Sequence, residues 1–279
     1  MSGRVPWRVA TAGVVTGVMV AFSLTACTGS SNKSANGSSS QLDTLQHVLS
    51  TKTLRVGVIA NVPPNGYYDD KNNFVGFDPD LAAMLAADLG VQLKLTVLAN
   101  SAARESSLIA GDEDLVAADF AVTPARAEVI DFSIPYMVAP LVLVGRQGDG
   151  ITDYNDLGGH TVGIVTGTTQ EILATIAPKD AKIVRFGTDA AMRQAFVSKQ
   201  IDAHLAGQNV AETEVKDVPG AEIKGIVSNQ DVSLGVPKND QNWLNWVNWA
   251  LTYHGERGEL GALYQKWFNE PMPKVLPDF

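Results

Sequence analysis

Arg126 follows a threonine and a proline in the run Thr123-Pro-Ala-Arg126. Threonine is a good helix N-cap, and proline suits the first helical position, where a missing N–H costs nothing. The spacing therefore predicts a helix start with Arg126 at its third position, beside free backbone N–H groups and the positive end of the helix dipole. Such a corner can hold a small anion between a planar fork of donors and a helix N-terminus. The local sequence leaves a second reading open, a surface ion pair with Glu128 or Asp131. Thr168-Thr-Gln-Glu171 fits a capping box and predicts another ordered helix start with free N–H groups.

Signals for covalent chemistry are missing. The chain has no G-x-S-x-G, no H-E-x-x-H and no Walker loop, so it carries no motif for hydrolysing ATP. His47, His160, His204 and His254 are scattered, and no two stand at metal-ligand spacing.

The elements that would position them form a pattern used twice. Leu93–Leu98 reads as a strand, Ala102–Ile109 as a helix, and Gly111-Asp-Glu-Asp114 leads into a strand over 115–118. Ala181–Phe186 reads as a strand, Asp189–Val197 as a helix, and Lys199-Gln-Ile-Asp202 leads into a strand over 203–206. Residues 103–114 align without gaps on 191–202. A repeated β-α-β unit implies two similar lobes, each a mostly parallel sheet flanked by helices. Asp119 and Gly207, just past the second strands, are then equivalent, at the strand ends where open α/β sheets bind ligands.

Before the first unit, Leu54–Ile59 is a short strand ending in the loop Asn61-Val-Pro-Pro-Asn-Gly66. Asp78-Pro79 reads as the cap of a helix reaching about Leu89, with Gly90 as its stop. In the tail, Trp243, Trp246 and Trp249 recur every third residue, and their spacing favours packing on the first lobe over stacking with sugars.

The 279 residues suffice for two domains with real cores, and 45% apolar with 18% charged residues fits a globular protein. Residues 1–26 read as a secretory signal: Arg4 and Arg8 precede an acid-free apolar run from Val9 to Ala26. Leu24-Thr-Ala-Cys27 looks like a bacterial lipobox, with Cys27, the chain's only cysteine, as the lipidated residue. The alternative is one membrane-spanning helix over the same run. Residues 27–41 follow as a Ser/Gly/Asn-rich linker of roughly 20 Å reach. Removing 1–26 would take the net charge from −9 to −11, which argues against a nucleic-acid partner.

T-P-x-R-x-E-x-x-D-F-S-x-P-Y over 123–136 closely resembles a signature of the solute-binding proteins of polar amino-acid ABC importers. L-R-V-G-V (54–58), V-G-F-D-P-D-L (75–81), G-x-x-D-L (111–115), V-G-I-V-T-G-T-T (162–169) and K-W-F (266–268) match in the same order. The resemblance implies a type II periplasmic-binding-protein-like α/β fold, two lobes joined by two hinge strands. Leu141-Val-Leu-Val-Gly145 and Val232-Ser-Leu-Gly-Val-Pro237 resemble those strands. Lobe 1 would then be 45–142 plus 233–279, and lobe 2 would be 143–232.

By the same resemblance, Arg126 holds the ligand α-carboxylate. Ser101-Ala-Ala-Arg104 resembles the S-x-N-R motif of the glutamate- and aspartate-binding branch, where the arginine reaches the ligand side chain; Ala103 replaces the asparagine. The implied ligand set is Arg126, Asp119, Thr123, Ser101, Arg104, Thr168 and Thr169, with no catalytic residue, cofactor or metal. Two departures stand out. The family's loop aromatics are replaced by Val62 and Asn65, with Tyr67 and Tyr68 next along. The second-lobe acid that holds the ligand ammonium is Gly207 here, while Asp119 stands where Gly, Ser or Asn is usual. An ammonium in a dry cleft needs a carboxylate or several acceptors; Asp119 is expected to replace the lost acid, or else to pair with Arg104 or Arg126.

The function so implied is that of a monomeric, lipid-anchored protein on the outer face of the cytoplasmic membrane. It would capture glutamate, aspartate or an amide for a permease and its ATPase subunits. Rival readings are a dehydratase-like enzyme on the same scaffold and a sensor for a membrane signalling partner.

Overall fold

A computed structural model describes residues 43–273; the leader at 1–26, Cys27 and the linker at 27–41 lie outside them. In chain order the elements are α1 (Thr44–Thr51), β1 (Thr53–Ile59), β2 (Tyr67–Tyr68), β3 (Phe74–Val75), α2 (Phe77–Leu89), β4 (Gln92–Leu98), α3 (Ala103–Ala110), β5 (Leu115–Val116), α4 (Pro124–Val129), β6 (Asp131–Phe132) and β7 (Met137–Arg146). After a 3-10 turn at Tyr154–Leu157 come β8 (Thr161–Val165), α5 (Gln170–Ile176), β9 (Lys182–Phe186), α6 (Asp189–Val197), β10 (Ala203–Gly207), α7 (Gln208–Asp217), β11 (Ala221–Val232), β12 (Gly235–Val236), α8 (Gln241–Glu256) and α9 (Glu259–Phe268).

Two five-stranded sheets result, ordered β4-β1-β5-β12-β6 and β11-β7-β10-β8-β9. The β-α-β units give the parallel pairs β1 with β4 and β5, and β8 with β9 and β10; β12 and the long pair β7–β11 run antiparallel. β7 and β11 pair along most of their length and link the two lobes, so the α/β class with two hinge strands holds; the second of them is β11, ending at Val232, whereas the expected run Val232–Pro237 contains β12 of the first sheet. No helix among the described residues is long and apolar enough to cross a membrane.

The gapless repeat is real at the level of hydrogen bonds. A left-handed residue follows each of α3 and α6, Gly111 as the cap of α3 at φ 74° and Lys199 one residue past the Ser198 cap of α6 at φ 61°. Three residues on, Asp114 and Asp202 do the same work. The Asp114 carboxylate accepts the Arg55 N–H at 2.9 Å, and the Asp202 carboxylate accepts the Thr161 N–H at 2.7 Å. Each aspartate thus ties its helix turn to the start of the lobe's first strand.

The first lobe's core joins Leu54, Val56 and Val58 of β1, Phe77, Leu81 and Leu85 of α2, and Trp243, Val247 and Leu251 of α8. The Trp243 indole N–H donates to the Asp114 carbonyl at 2.8 Å, and Trp246 stacks on its ring. Trp249 departs from the stripe: it is 56% exposed and stacks on Tyr253.

The sequence reading of Asp78 as a helix cap is overturned. Gly76 is the N-cap of α2, and Asp78 lies inside the first turn, completely buried. Gly76 takes that place because its φ of 145° lets the chain press against the Asn65 carbonyl, where any Cβ would lie 2.2 Å from the oxygen.

Candidate ligand-binding cleft

Arg126 enters the cleft as its local sequence dictates. Thr123 is the N-cap of α4 and its hydroxyl accepts the Arg126 N–H at 3.2 Å, with Pro124 at the first helical position. The guanidinium is buried and spread over three acceptors: Nε donates to Glu105 at 2.8 Å, Nη1 to the Ala121 carbonyl at 2.6 Å and Nη2 to the Gly167 carbonyl at 2.7 Å. Neither surface partner read from the sequence is used; Asp131 pairs with Lys238, and Glu105 of α3 takes the place beside Arg126. Burial, with the neighbouring Arg104, lowers the Arg126 pKa, and Glu105 works against both.

Arg104 sits in the first turn of α3 and is only 5% exposed. Its carbon Cζ lies 5.6 Å from the centre of the Phe120 ring, and that of Arg126 lies 4.9 Å from the same centre, so one ring contacts both cations. The Arg104 Nε is buried without a hydrogen-bond partner.

Asp119 follows β5 in the left-handed region, at φ 47°. Its backbone N–H donates to one Asp78 oxygen at 2.9 Å, while the other accepts the Tyr136 hydroxyl at 2.9 Å. Asp78 is therefore a buried bracket beneath Asp119, which explains why it sits inside α2 and not at its cap. Burial, with the nearby Asp119 charge, pushes the Asp78 pKa up to about 7. Burial likewise raises the Asp119 carboxyl, and Arg104 pulls it back.

On the second lobe the expected capping box is absent. The N-cap of α5 is Thr169, already helical and without a side-chain cap. The Thr168 hydroxyl instead donates to the Val165 carbonyl at 2.7 Å and accepts the Gln170 N–H at 3.3 Å. Glu171 turns outward to Arg185 on β9, at 3.0 Å. The Thr169 hydroxyl accepts from Gln230 of β11.

These groups line a cavity of about 60 Å³: Ser101, Arg104, Asp119, Ala121 and Arg126 on one side, Thr168, Thr169, Gln170, Asp189 and Gly207 on the other. Thr123 is not among the lining residues; it acts on Arg126 through the backbone. Val62 reaches the cavity, whereas Asn65 is buried in its turn. Tyr67 and Tyr68 line a separate cavity of about 610 Å³. Asp119 and Gly207 both reach the cleft, but Gly207 is extended at φ −60° and opens α7.

The residue that sequence reasoning missed is Asp189. It is the first residue of α6, behind the N-cap Thr188, and borders both cavities. Burial raises its carboxyl, and the Arg104 charge across the cleft opposes that rise. Its one sequence signal was Thr188-Asp189 at a helix start. Among the described residues, no group of three or more His, Cys, Asp or Glu is placed to hold a metal ion.

The lobes touch tightly at one glycine. Gly167, at φ 77°, approaches the start of α3 so closely that a Cβ there would lie 2.9 Å from the Ala102 nitrogen. That contact and the Arg126 bond to the Gly167 carbonyl hold the two sides together.

Two sheet-based lobes closing over a small charged cleft define a solute-binding protein. The match to the bacterial extracellular solute-binding proteins, family 3, runs over residues 54–270, and the chain belongs to that family. It is 29% identical over 258 residues to the arginine-binding extracellular protein ArtP of Bacillus subtilis (strain 168), covering 89% of this chain and 94% of ArtP. A structure of an ancestral arginine-binding protein bound to arginine superposes with a TM-score of 0.74 at 34% identity, covering 78% of this chain and 98% of the other. A structure of the ancestral amino-acid-binding protein AncCDT-1, a precursor of cyclohexadienyl dehydratase, gives 0.74 at 32%, covering 81% and 100%.

Proposed function

We propose that this protein is the substrate-binding lipoprotein of an ABC importer, capturing a polar α-amino acid between its lobes and delivering it to a permease driven by ATPase subunits. The lobes divide near residues 142 and 232, and Cys27 carries the lipid that holds the protein on the outer face of the cytoplasmic membrane. The observation that carries the ligand class is the convergence of Arg126 and Asp119 on one small cavity bridged by both lobes. A guanidinium has five N–H donors, and three of Arg126's are engaged, which leaves two for a ligand carboxylate. Asp119, left-handed and braced from below by Asp78, supplies the acid for the ammonium in place of the one missing at Gly207.

Thr168 and Thr169 present the second lobe's polar groups to the same ligand, and Ser101 and Arg104 face its side chain. Glutamate, aspartate and their amides all meet these requirements. With no nucleophile and base brought together at the cleft, binding and not turnover is the proposed role.

Arg126→Ala is expected to weaken amino-acid binding by about 2–5 kcal/mol, since a desolvated carboxylate loses its partner. Asp119→Asn should penalise an α-amino acid far more than the same acid lacking its amine. Calorimetric titration of both variants checks this; equal losses for the two ligands would remove Asp119 from the ammonium site.

A further inference from the structure

Two charges in the cleft are left over once the α-carboxylate and ammonium are assigned to Arg126 and Asp119. Arg104 comes from the first lobe and Asp189 from the second. Both border the 60 Å³ cavity. Among the described residues the Arg104 guanidinium donates to no protein group, and its Nε is fully buried without an acceptor. A buried cation in that condition needs an acceptor from somewhere. Asp189 feels the Arg104 charge across the gap, yet no ion pair joins them.

We propose that Arg104 and Asp189 read the two ends of a terminal amide or ureido group on the ligand side chain, the guanidinium donating to its carbonyl oxygen and the carboxylate accepting from its N–H. This rests on the α-amino-acid reading given above and narrows it to uncharged side chains that carry both a donor and an acceptor.

The alternatives fail on charge. A side-chain carboxylate would satisfy Arg104 but face Asp189, placing two like charges side by side. A side-chain guanidinium or ammonium would satisfy Asp189 but face Arg104. Either leaves one of the two groups without a partner, Asp189 in the first case and the buried Arg104 Nε in the second, while Arg126 already has Glu105 beside it. An uncharged side chain with both a donor and an acceptor serves Arg104 and Asp189 together. Among the remaining lining residues Val62, Ala121, Leu141 and Val210 are aliphatic and suit methylene groups, Gln230 adds a polar side chain, and no aromatic ring of the lining offers a stacking face. Closure also matters: Asp189 reaches the ligand only from the second lobe, so an amide bridged to Arg104 ties side-chain identity to lobe closure.

The test is a calorimetric titration of the full-length protein with glutamine, asparagine, citrulline, glutamate, arginine and alanine. At least one amide or ureido ligand is expected to bind ten-fold or more tighter than glutamate, arginine and alanine. Asp189→Asn should reduce that preference over glutamate at least ten-fold. Arg104→Met, which copies the residue at the equivalent repeat position, should reduce the preference over arginine by a similar factor. Thermal unfolding of both variants confirms that they fold, and the wild-type ranking decides the matter even if they do not. Tighter binding of glutamate or arginine, or an unchanged glutamine-to-glutamate ratio in Asp189→Asn, would overturn the amide reading alone. Binding of alanine as tight as glutamine would also overturn it, while leaving the α-amino-acid reading intact. Failure of every amino acid to bind would overturn that reading and this proposal with it.

Discussion

The two β-α-β units share a backbone plan and differ in where they place charge. Gly111 and Lys199 turn left-handed at the same step, and Asp114 and Asp202 clasp the same strand N–H. Yet the aligned helix position is Arg104 in the first unit and Met192 in the second, one facing the ligand cavity and the other buried in the lobe core. Past the second strands the pair is Asp119 and Gly207. Near the start of the helix after each lobe's first strand, the first lobe buries an acid, Asp78, and the second an amide, Gln170, which accepts the Val165 N–H at 2.6 Å. Duplicated scaffolding therefore tolerates different linings: one copy brings Arg104, Asp119 and Arg126 to the cavity, and the other mostly neutral polar groups plus Asp189.

The largest expected effect probes the buried acid. The Asp78 pKa rises from 3.8 to about 7 in the folded protein. Between those values the folded state keeps a proton that the unfolded chain has released, so stability falls as pH rises through the window and levels off above it. At about 1.4 kcal/mol per pKa unit the loss reaches up to about 4 kcal/mol. Asp78→Asn removes the charge and keeps one acceptor for the Asp119 N–H, while its NH2 turns to the Tyr136 hydroxyl oxygen, which accepts in place of donating. Urea unfolding at pH 5 and pH 8 should therefore show the variant gaining on the wild type at the higher pH, and a pH-independent difference would dismiss the buried bracket.

The clasping aspartates come next. The Asp114 side chain is 2% exposed and pairs with Arg55 at 2.6 Å, whereas that of Asp202 is 50% exposed with His160 only at 3.9 Å. Asp114→Ala is expected to cost about 3 kcal/mol and Asp202→Ala about 1 kcal/mol, read from denaturant midpoints. Equal costs would mean that the matching hydrogen bonds, and not burial, set their worth.

At the seam between the lobes, Gly167→Ala should weaken ligand binding about ten-fold by obstructing closure at Ala102, with stability lowered by no more than about 1 kcal/mol. Undiminished affinity would show that the seam yields at little cost. The smallest effect belongs to the left-handed pair. Gly111→Ala should lose about 1 kcal/mol from backbone strain alone, because nothing lies near its added methyl, and Lys199→Gly should gain a few tenths. Thermal melts that order them the other way would break the equivalence of the two turns.

Much of this was legible in the sequence because local rules decided it. Thr123-Pro124 fixed the helix start under Arg126, and the gapless repeat announced the paired turns. What escaped depended on partners distant in the chain. Glu171 satisfied the spacing of a capping box, but Arg185 on the neighbouring strand captured it. Asp78 looked like a cap, but the turn at Gly76 moved the helix start back and left the carboxylate free to hold Asp119 and Tyr136. Asp189 lies just outside the aligned repeat, and only the apposition of the lobes brings it to Arg104.

The order of strands in the first sheet has a consequence for how the chain is made. Strand β6 bonds only to β12, and β12 lies between β6 and β5. The second sheet, by contrast, is drawn entirely from the continuous run Met137–Val232. A chain emerging N-terminus first can thus complete the second lobe while the first still lacks a strand and the helix α8 that covers Leu54, Val56 and Leu115. The lobe begun earliest finishes last, after a wait of about a hundred residues, a long-range closure of the kind that slows folding. For an exported protein this postpones a compact first lobe until nearly all of the chain has passed through. Only then is the scaffold that positions Arg126 complete.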